Sequence, residues 1–134
     1  MKPFKLEIIT PEKIFFDGET EHLIARTSEG DVGILYGHTP YVANLVSGPV
    51  KVKMPDGNFR RAAVSGGVIK ASPEGTVILA SAVEWSDEID IERAKRSVED
   101  AKRRMRENKS QRELDLAEQK LKRALNRISV AGSK

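Results

Sequence analysis

The sequence predicts a β + α protein, a small all-β domain followed by an antiparallel two-helix hairpin. Three observations carry that prediction. Turn signals in the first part arrive about every 8–12 residues between alternating apolar and polar runs, the spacing of an all-β sandwich or barrel. From Ile91 the apolar residues instead recur at helical spacing. The charge changes sign in the same region. Residues 1–89 hold 9 Lys/Arg against 12 Asp/Glu, a net of −3, and residues 90–134 hold 14 against 8, a net of +6. The stretch "VEWSDEIDIERAKRS", Val83 to Ser97, divides the two, which sets a β domain at 1–85 and a helical domain at 86–134.

In chain order, "FKLEII" alternates from Phe4 and "EHLIARTS" gives a second strand-like run from Glu21. "SEGDVGILYGHTPYVANL", Ser28 to Leu45, has three glycines, a proline and few alternating positions, so it reads as a structured loop region with a short strand in it. Loops of this kind often carry contacts. His38 lies there, and a lone histidine in such a loop is most simply a hydrogen-bonding packing residue. Next, "GPVKVKMPDGNFRRAAVSGG" is a hairpin signal. Val50, Val52 and Met54 share one face, Lys51 and Lys53 the other, and "PDGN" turns the chain. An "SGG" turn leads into "VIKASPEGTVILAS", where "SPEG" separates two β-branched runs. A domain of this size buries roughly 60–65% of its unfolded surface, enough to fold alone by a modest margin.

Ile91, Ala94, Val98, Ala101 and Met105 form a narrow seam at 3, 4, 3, 4 spacing on a first helix, with Asp90 as its N-cap. Leu114, Ala117, Leu121, Ala124 and Ile128, widened by Leu125, repeat the spacing on a second. "ENKSQRE" breaks the pattern between them, and Ser110 with Glu113 makes a capping box. The acid-before-base pairs Glu92–Arg96, Glu99–Arg103, Asp100–Arg104 and Glu118–Lys122 lie at i,i+4, each worth about 0.2–0.5 kcal/mol to a helix. At about 0.8 kcal/mol per buried methylene, an alanine seam is weak glue. The hairpin is therefore expected to need a surface to lie on and to detach at modest cost.

Several function classes are excluded or disfavoured. There is no cysteine, and His22 is the only histidine besides His38, so no metal site is expected. No phosphate loop, G-x-S-x-G or H-E-x-x-H motif occurs, and the carboxylates read as solvated surface, so the chain is expected not to be an enzyme. The N-terminus has no apolar stretch ahead of its charges, and no run approaches the ~18 apolar residues of a membrane span. A soluble, cytoplasmic protein is expected. The +6 segment permits nucleic-acid binding, but its basic residues are interleaved with acids and it has no aromatic residue for base stacking.

The N-terminal strands, "GDVGILYGHTPYVANL", "SGGVIKASPEGTVILAS" and the charged hairpin, in that order, resemble the epsilon subunit of bacterial F-type ATP synthase from Phe4 to about Ala131. The resemblance implies a β-sandwich of about ten strands and a two-helix hairpin. It implies a rotor subunit of the central stalk that joins the gamma subunit to the c-ring on the cytoplasmic face of the bacterial plasma membrane. It also implies that the hairpin can extend into the alpha/beta catalytic head and inhibit ATP hydrolysis.

Some bacterial members of that family bind ATP through a segment of the form I/L-D-x-x-R-A. Ile89, Asp90, Arg93 and Ala94 fill the pattern, Glu84 matches an acidic position of the same site, and Arg123 and Arg127 stand where the phosphate-facing arginines lie. The chemistry suits a polyanion, because guanidinium groups donate in a planar fork to phosphate oxygens. Adenine would pack on Ile89 and Ala94, with Asp90 and Glu84 at polar adenine or ribose groups. A Mg²⁺ ion can ride on the phosphates with no protein ligand, which leaves the cation open. The sequence departs from the pattern at Asp100, where those members carry a further arginine, with Arg103 nearly one turn later. Trp85, the single tryptophan, reads either as a cap on the sandwich edge or as a stacking partner for a ligand. By the same resemblance, Glu29, Asp31, His38 and Tyr41 face gamma or the c-ring. The alternative within the family is a purely structural hairpin with Asp90 as a helix cap only.

Overall fold

A computed structural model describes residues 1–107 and 109–132; Asn108, within the expected break between the helices, lies outside them. The chain divides into two units, Met1–Trp85 and Ser86–Lys134.

The first unit is built from eight strands: β1 Phe4–Ile9, β2 Ile14–Thr20, β3 Leu23–Thr27, β4 Gly30–Ile34, β5 Tyr41–Lys53, β6 Phe59–Ser72, β7 Gly75–Ala80 and β8 Val83–Trp85. Their order is β2-β1-β7-β6-β5-β3-β4, with β8 paired to the first part of β6. The alternation in the sequence is realised directly. Phe4, Leu6 and Ile8 of β1, and Thr76, Ile78 and Ala80 of β7, point into one core. Val50 and Val52 are buried while Met54 packs partly against them. "PDGN" turns β5 into β6 with the Gly57 N–H donating to the Met54 carbonyl at 2.9 Å and the Met54 N–H to that of Asn58 at 2.8 Å.

The "SGG" segment is not a chain reversal. Gly66 and Gly67 lie inside β6, at φ 91° and 147°, where β6 bends while staying paired to β5 from Tyr41↔Ala71 to Lys53↔Phe59. The residues of the central core change parity at that level in both strands. Val50, Val52, Ala62 and Val64 are inward on one side of the bend, and Leu45, Ile69 and Ala71 on the other. The two long strands thus serve both layers of the sandwich. Counting each of them twice gives the expected ten strand segments from eight strands.

In the second unit a 3-10 turn, Ser86–Glu88, leads to α1 Ile91–Arg106 and α2 Gln111–Gly132. The Glu113 N–H donates to Ser110 Oγ at 3.1 Å, and Glu113 Oε2 accepts from the Lys109 N–H at 2.9 Å, so the box closes on Lys109. The seam holds Ala94, Val98 and Ala101 of α1 and Ala117 and Ala124 of α2, with Val130 also buried. Ile91 and Leu125 instead stand 41% and 49% exposed. The surface pairs differ in part from expectation. Asp100–Arg104 forms at 3.0 Å, while Glu92 meets Lys95 and Arg103 turns to Asp100. A charged side chain on a helix reaches i+3 as readily as i+4, and Asp100 holds the stronger cluster of charge.

Candidate functional site

Of the expected nucleotide residues, six lie in the second unit and Glu84 in the first. Asp90 is a true N-cap: its Oδ1 accepts the Arg93 N–H at 3.0 Å. That bond satisfies one of the free amides at the helix end. Arg93 and Arg123 are exposed, Arg127 is half-buried, and Ile89 is buried. Ala94 has no accessible surface, so it is first of all a seam residue.

The two helices are pinned where Lys120 Nζ donates to Asp100 Oδ2. Counting outward at equal rise per residue in an antiparallel pair, seven residues back from Asp100 is Arg93 and seven on from Lys120 is Arg127. Arg93 and Arg127 thus stand at one level of the hairpin, with Arg123 one helical turn nearer its tip. By this count the three arginines fall toward the end of the hairpin away from its tip.

Glu84 is the middle residue of β8, half-buried and registered with Ala63. Beside it Trp85 is 7% exposed, with Phe15 at 4.7 Å, Phe16 at 6.2 Å and the Arg60 guanidinium 4.1 Å over its ring. These contacts make Trp85 a packing residue of the sandwich.

Glu29 is exposed in the turn between β3 and β4, where its N–H donates to Thr27 Oγ1 at 3.1 Å. Asp31 accepts from Arg26 Nε at 2.9 Å, and that bond holds its carboxyl below the usual Asp value. His38 bonds the Thr39 carbonyl through Nδ1 at 2.7 Å and packs edge-on to Tyr41 at 5.8 Å. That matches the packing reading of the histidine. Leu35 and Tyr36 of the same loop are exposed.

A further surface escaped the sequence reading. Val68, Leu79, Ile9 and Ile14 are registered neighbours across β6, β7, β1 and β2. Leu79 is 55% and Ile14 60% exposed, and Val42 nearby on β5 is 66% exposed. The outward positions of these strands carried the signal, but only the strand order lines them up. Among the described residues no group of three His, Cys, Asp or Glu could hold a metal, and no helix is long and apolar enough to cross a membrane.

Two family models match in succession: the ATP synthase delta/epsilon chain beta-sandwich domain over residues 3–86, and its long alpha-helix domain over residues 87–132. The chain belongs to the ATP synthase delta/epsilon family. It is 54% identical to the ATP synthase epsilon chain of Ruminococcus albus over 135 residues, covering 100% of both chains. It is 41% identical to that of Bacillus velezensis, covering 99% of this chain and 100% of the relative. A sodium-ion-specific epsilon chain from Propionigenium modestum is 40% identical, with 98% and 95% covered. In solved structures the fold recurs in the Euglena gracilis mitochondrial ATP synthase OSCP/F1/c-ring assembly, with a TM-score of 0.81 at 21% identity, covering 92% of this chain and 78% of that one. It recurs again in the central stalk/c-ring of the Tetrahymena thermophila enzyme, with a TM-score of 0.67 at 14% identity and 97% of each chain covered. As a member of the epsilon branch the chain is a non-catalytic subunit of the F-type ATP synthase central stalk.

Proposed function

We propose that this epsilon chain joins gamma to the c-ring of a proton-translocating ATP synthase, peripheral to the cytoplasmic face of the bacterial plasma membrane. Its hairpin regulates the enzyme: extended into the alpha/beta head it inhibits ATP hydrolysis, and folded it is held by bound ATP. The observation that carries the nucleotide reading is the common level of Arg93 and Arg127, on opposite helices at the end capped by Asp90. A ligand that needs arginines from both helices binds only when they are packed together, which gives the differential affinity a switch requires.

The residues fit the ligand. Within the second unit, Arg93, Arg123 and Arg127 would meet the phosphates, Ile89 the adenine edge, and Asp90 polar adenine or ribose groups. Asp90 Oδ1 is spent on the cap, which leaves Oδ2 for the ligand. On the sandwich, the segment from Glu29 to Tyr41, with Asp31 and His38, faces gamma or the c-ring, and the apolar row from Val68 to Ile14, exposed at Leu79 and Ile14, supports a second protein contact.

Calorimetric titration of the full chain with ATP, ADP and GTP tests the site. One-to-one binding that prefers ATP is expected. Arg93→Ala should weaken it roughly ten- to a hundredfold, the loss of one charge-assisted contact. No heat at millimolar ATP would leave Asp90 as a helix cap only and the hairpin as a structural clamp.

A further inference from the structure

We infer that Asp100 is an internal latch of the hairpin, and that Arg103 and Arg104 set how readily it opens. Asp100 is half-buried on α1. Its Oδ1 accepts from Arg103 Nη2 at 2.5 Å, and its Oδ2 accepts from Arg104 Nε at 3.0 Å and from Lys120 Nζ on α2. One carboxylate therefore offsets three cations, two from its own helix and one from the other.

The seam that this contact supplements is built largely of alanine, at Ala94, Ala101, Ala117 and Ala124. Small side chains bury little area, so a charged tie across them weighs more than it would across leucines. When α2 leaves α1, Lys120 departs with it. Arg103 and Arg104 stay behind, at i+3 and i+4 on α1. Asp100 is then still compensated, so opening strands no unpaired carboxylate. In the closed state, by contrast, the Lys120 ammonium and the Arg103 and Arg104 guanidinium groups all converge on Asp100, and Glu107 and Glu113 line the same groove as Arg104 and Lys120.

This arrangement fixes the signs of four substitutions. Asp100→Asn removes the one carboxylate that contacts all three cations and favours the open hairpin. Lys120→Gln removes an attraction and a repulsion together, so it costs less. Lys120→Gln added to Asp100→Asn relieves the repulsion and recovers part of the closed population. Arg103→Gln with Arg104→Gln removes repulsion from Lys120 and favours the closed state.

The sequence has no cysteine, so Arg96→Cys and Lys122→Cys place unique spin labels on exposed positions of α1 and α2. Distance distributions are measured on the full chain at low salt, without nucleotide. Trp85 fluorescence verifies the folded sandwich in each variant. For Asp100→Asn the separated population should rise roughly two- to fivefold, the scale of an exposed ion pair. Lys120→Gln should restore part of it, and added salt should shrink the difference. The latch is refuted if Asp100→Asn leaves the distribution unchanged, or if the double variant is no nearer the parent than Asp100→Asn alone. The regulatory meaning of the latch rests on the mobile-hairpin reading. The measurement uses no ATP, so failure of the latch and failure of the nucleotide site are told apart.

Discussion

Of the glycines, Gly67 has the least room for a side chain. A Cβ built there would stand 2.1 Å from the Leu79 carbonyl oxygen and 2.9 Å from Ala80 Cα, both backbone atoms of β7. Val68 and Gly67 are paired to those same two residues, so the strand cannot step aside without opening the β6–β7 ladder. The φ of 147° adds a backbone penalty, since that region is essentially confined to glycine. Taking ~1–3 kcal/mol for the conformation and a further ~1–3 kcal/mol for overpacking, Gly67→Ala should cost about 2–6 kcal/mol. A small domain has a total stability of roughly 5–15 kcal/mol, so much of it is at stake. Gly57→Ala is the control, because Gly57 also has positive φ, at 89°, but an added Cβ there meets nothing within 4 Å. Both variants carry a positive-φ cost, and only Gly67→Ala adds the clash. Urea unfolding followed by Trp85 fluorescence reads the sandwich directly, as Trp85 is the single tryptophan and is buried within it. If the midpoint of Gly67→Ala equals that of Gly57→Ala at unchanged slope, the bend is not where the strands are held.

Two smaller effects follow from side chains of the sandwich. Thr76 Oγ1 is buried with no hydrogen-bond partner among the described residues, so Thr76→Val should be neutral or stabilise by up to ~1 kcal/mol in the same urea assay; a loss above 1 kcal/mol would show that the hydroxyl is satisfied. Asp31, held by Arg26, should titrate below the ordinary value of 3.8. A folded-state pKa below the unfolded one contributes stability above the unfolded value that is lost as pH falls through the lower one. Its carboxyl resonance should therefore have a midpoint under 3.8, moving up in Arg26→Ala; a midpoint at or above 3.8 would place Asp31 outside the ion pair.

What the sequence made legible was local. Alternation and turn chemistry located the β5–β6 and β6–β7 hairpins, because Asp56, Gly57 and Gly75 act within a few residues of the chain reversals they make. Asp90 and Ser110 announced the helix starts for the same reason. The bend at Gly66–Gly67 was hidden, because a glycine pair reads alike whether it ends a strand or folds one over. The apolar row of Val68, Leu79, Ile9 and Ile14 required the strand order, which is non-local. Asp100 was legible as the partner of Arg104 four residues on, but its bond to Lys120 depends on how the hairpin registers. Arg93 and Arg127 were picked out through the family pattern, and their common level came only from that register.

Whether ATP holds the hairpin folded is tested most directly by hydrogen exchange along α2 in the full chain. With ATP at ten times its Kd, binding to the folded state alone adds about 1.4 kcal/mol, so amides that exchange by hairpin opening should slow roughly tenfold. GTP at the same concentration should slow them less. Saturated ATP binding with α2 exchange unchanged would contradict the account, because the nucleotide would then not discriminate between the two states of the hairpin.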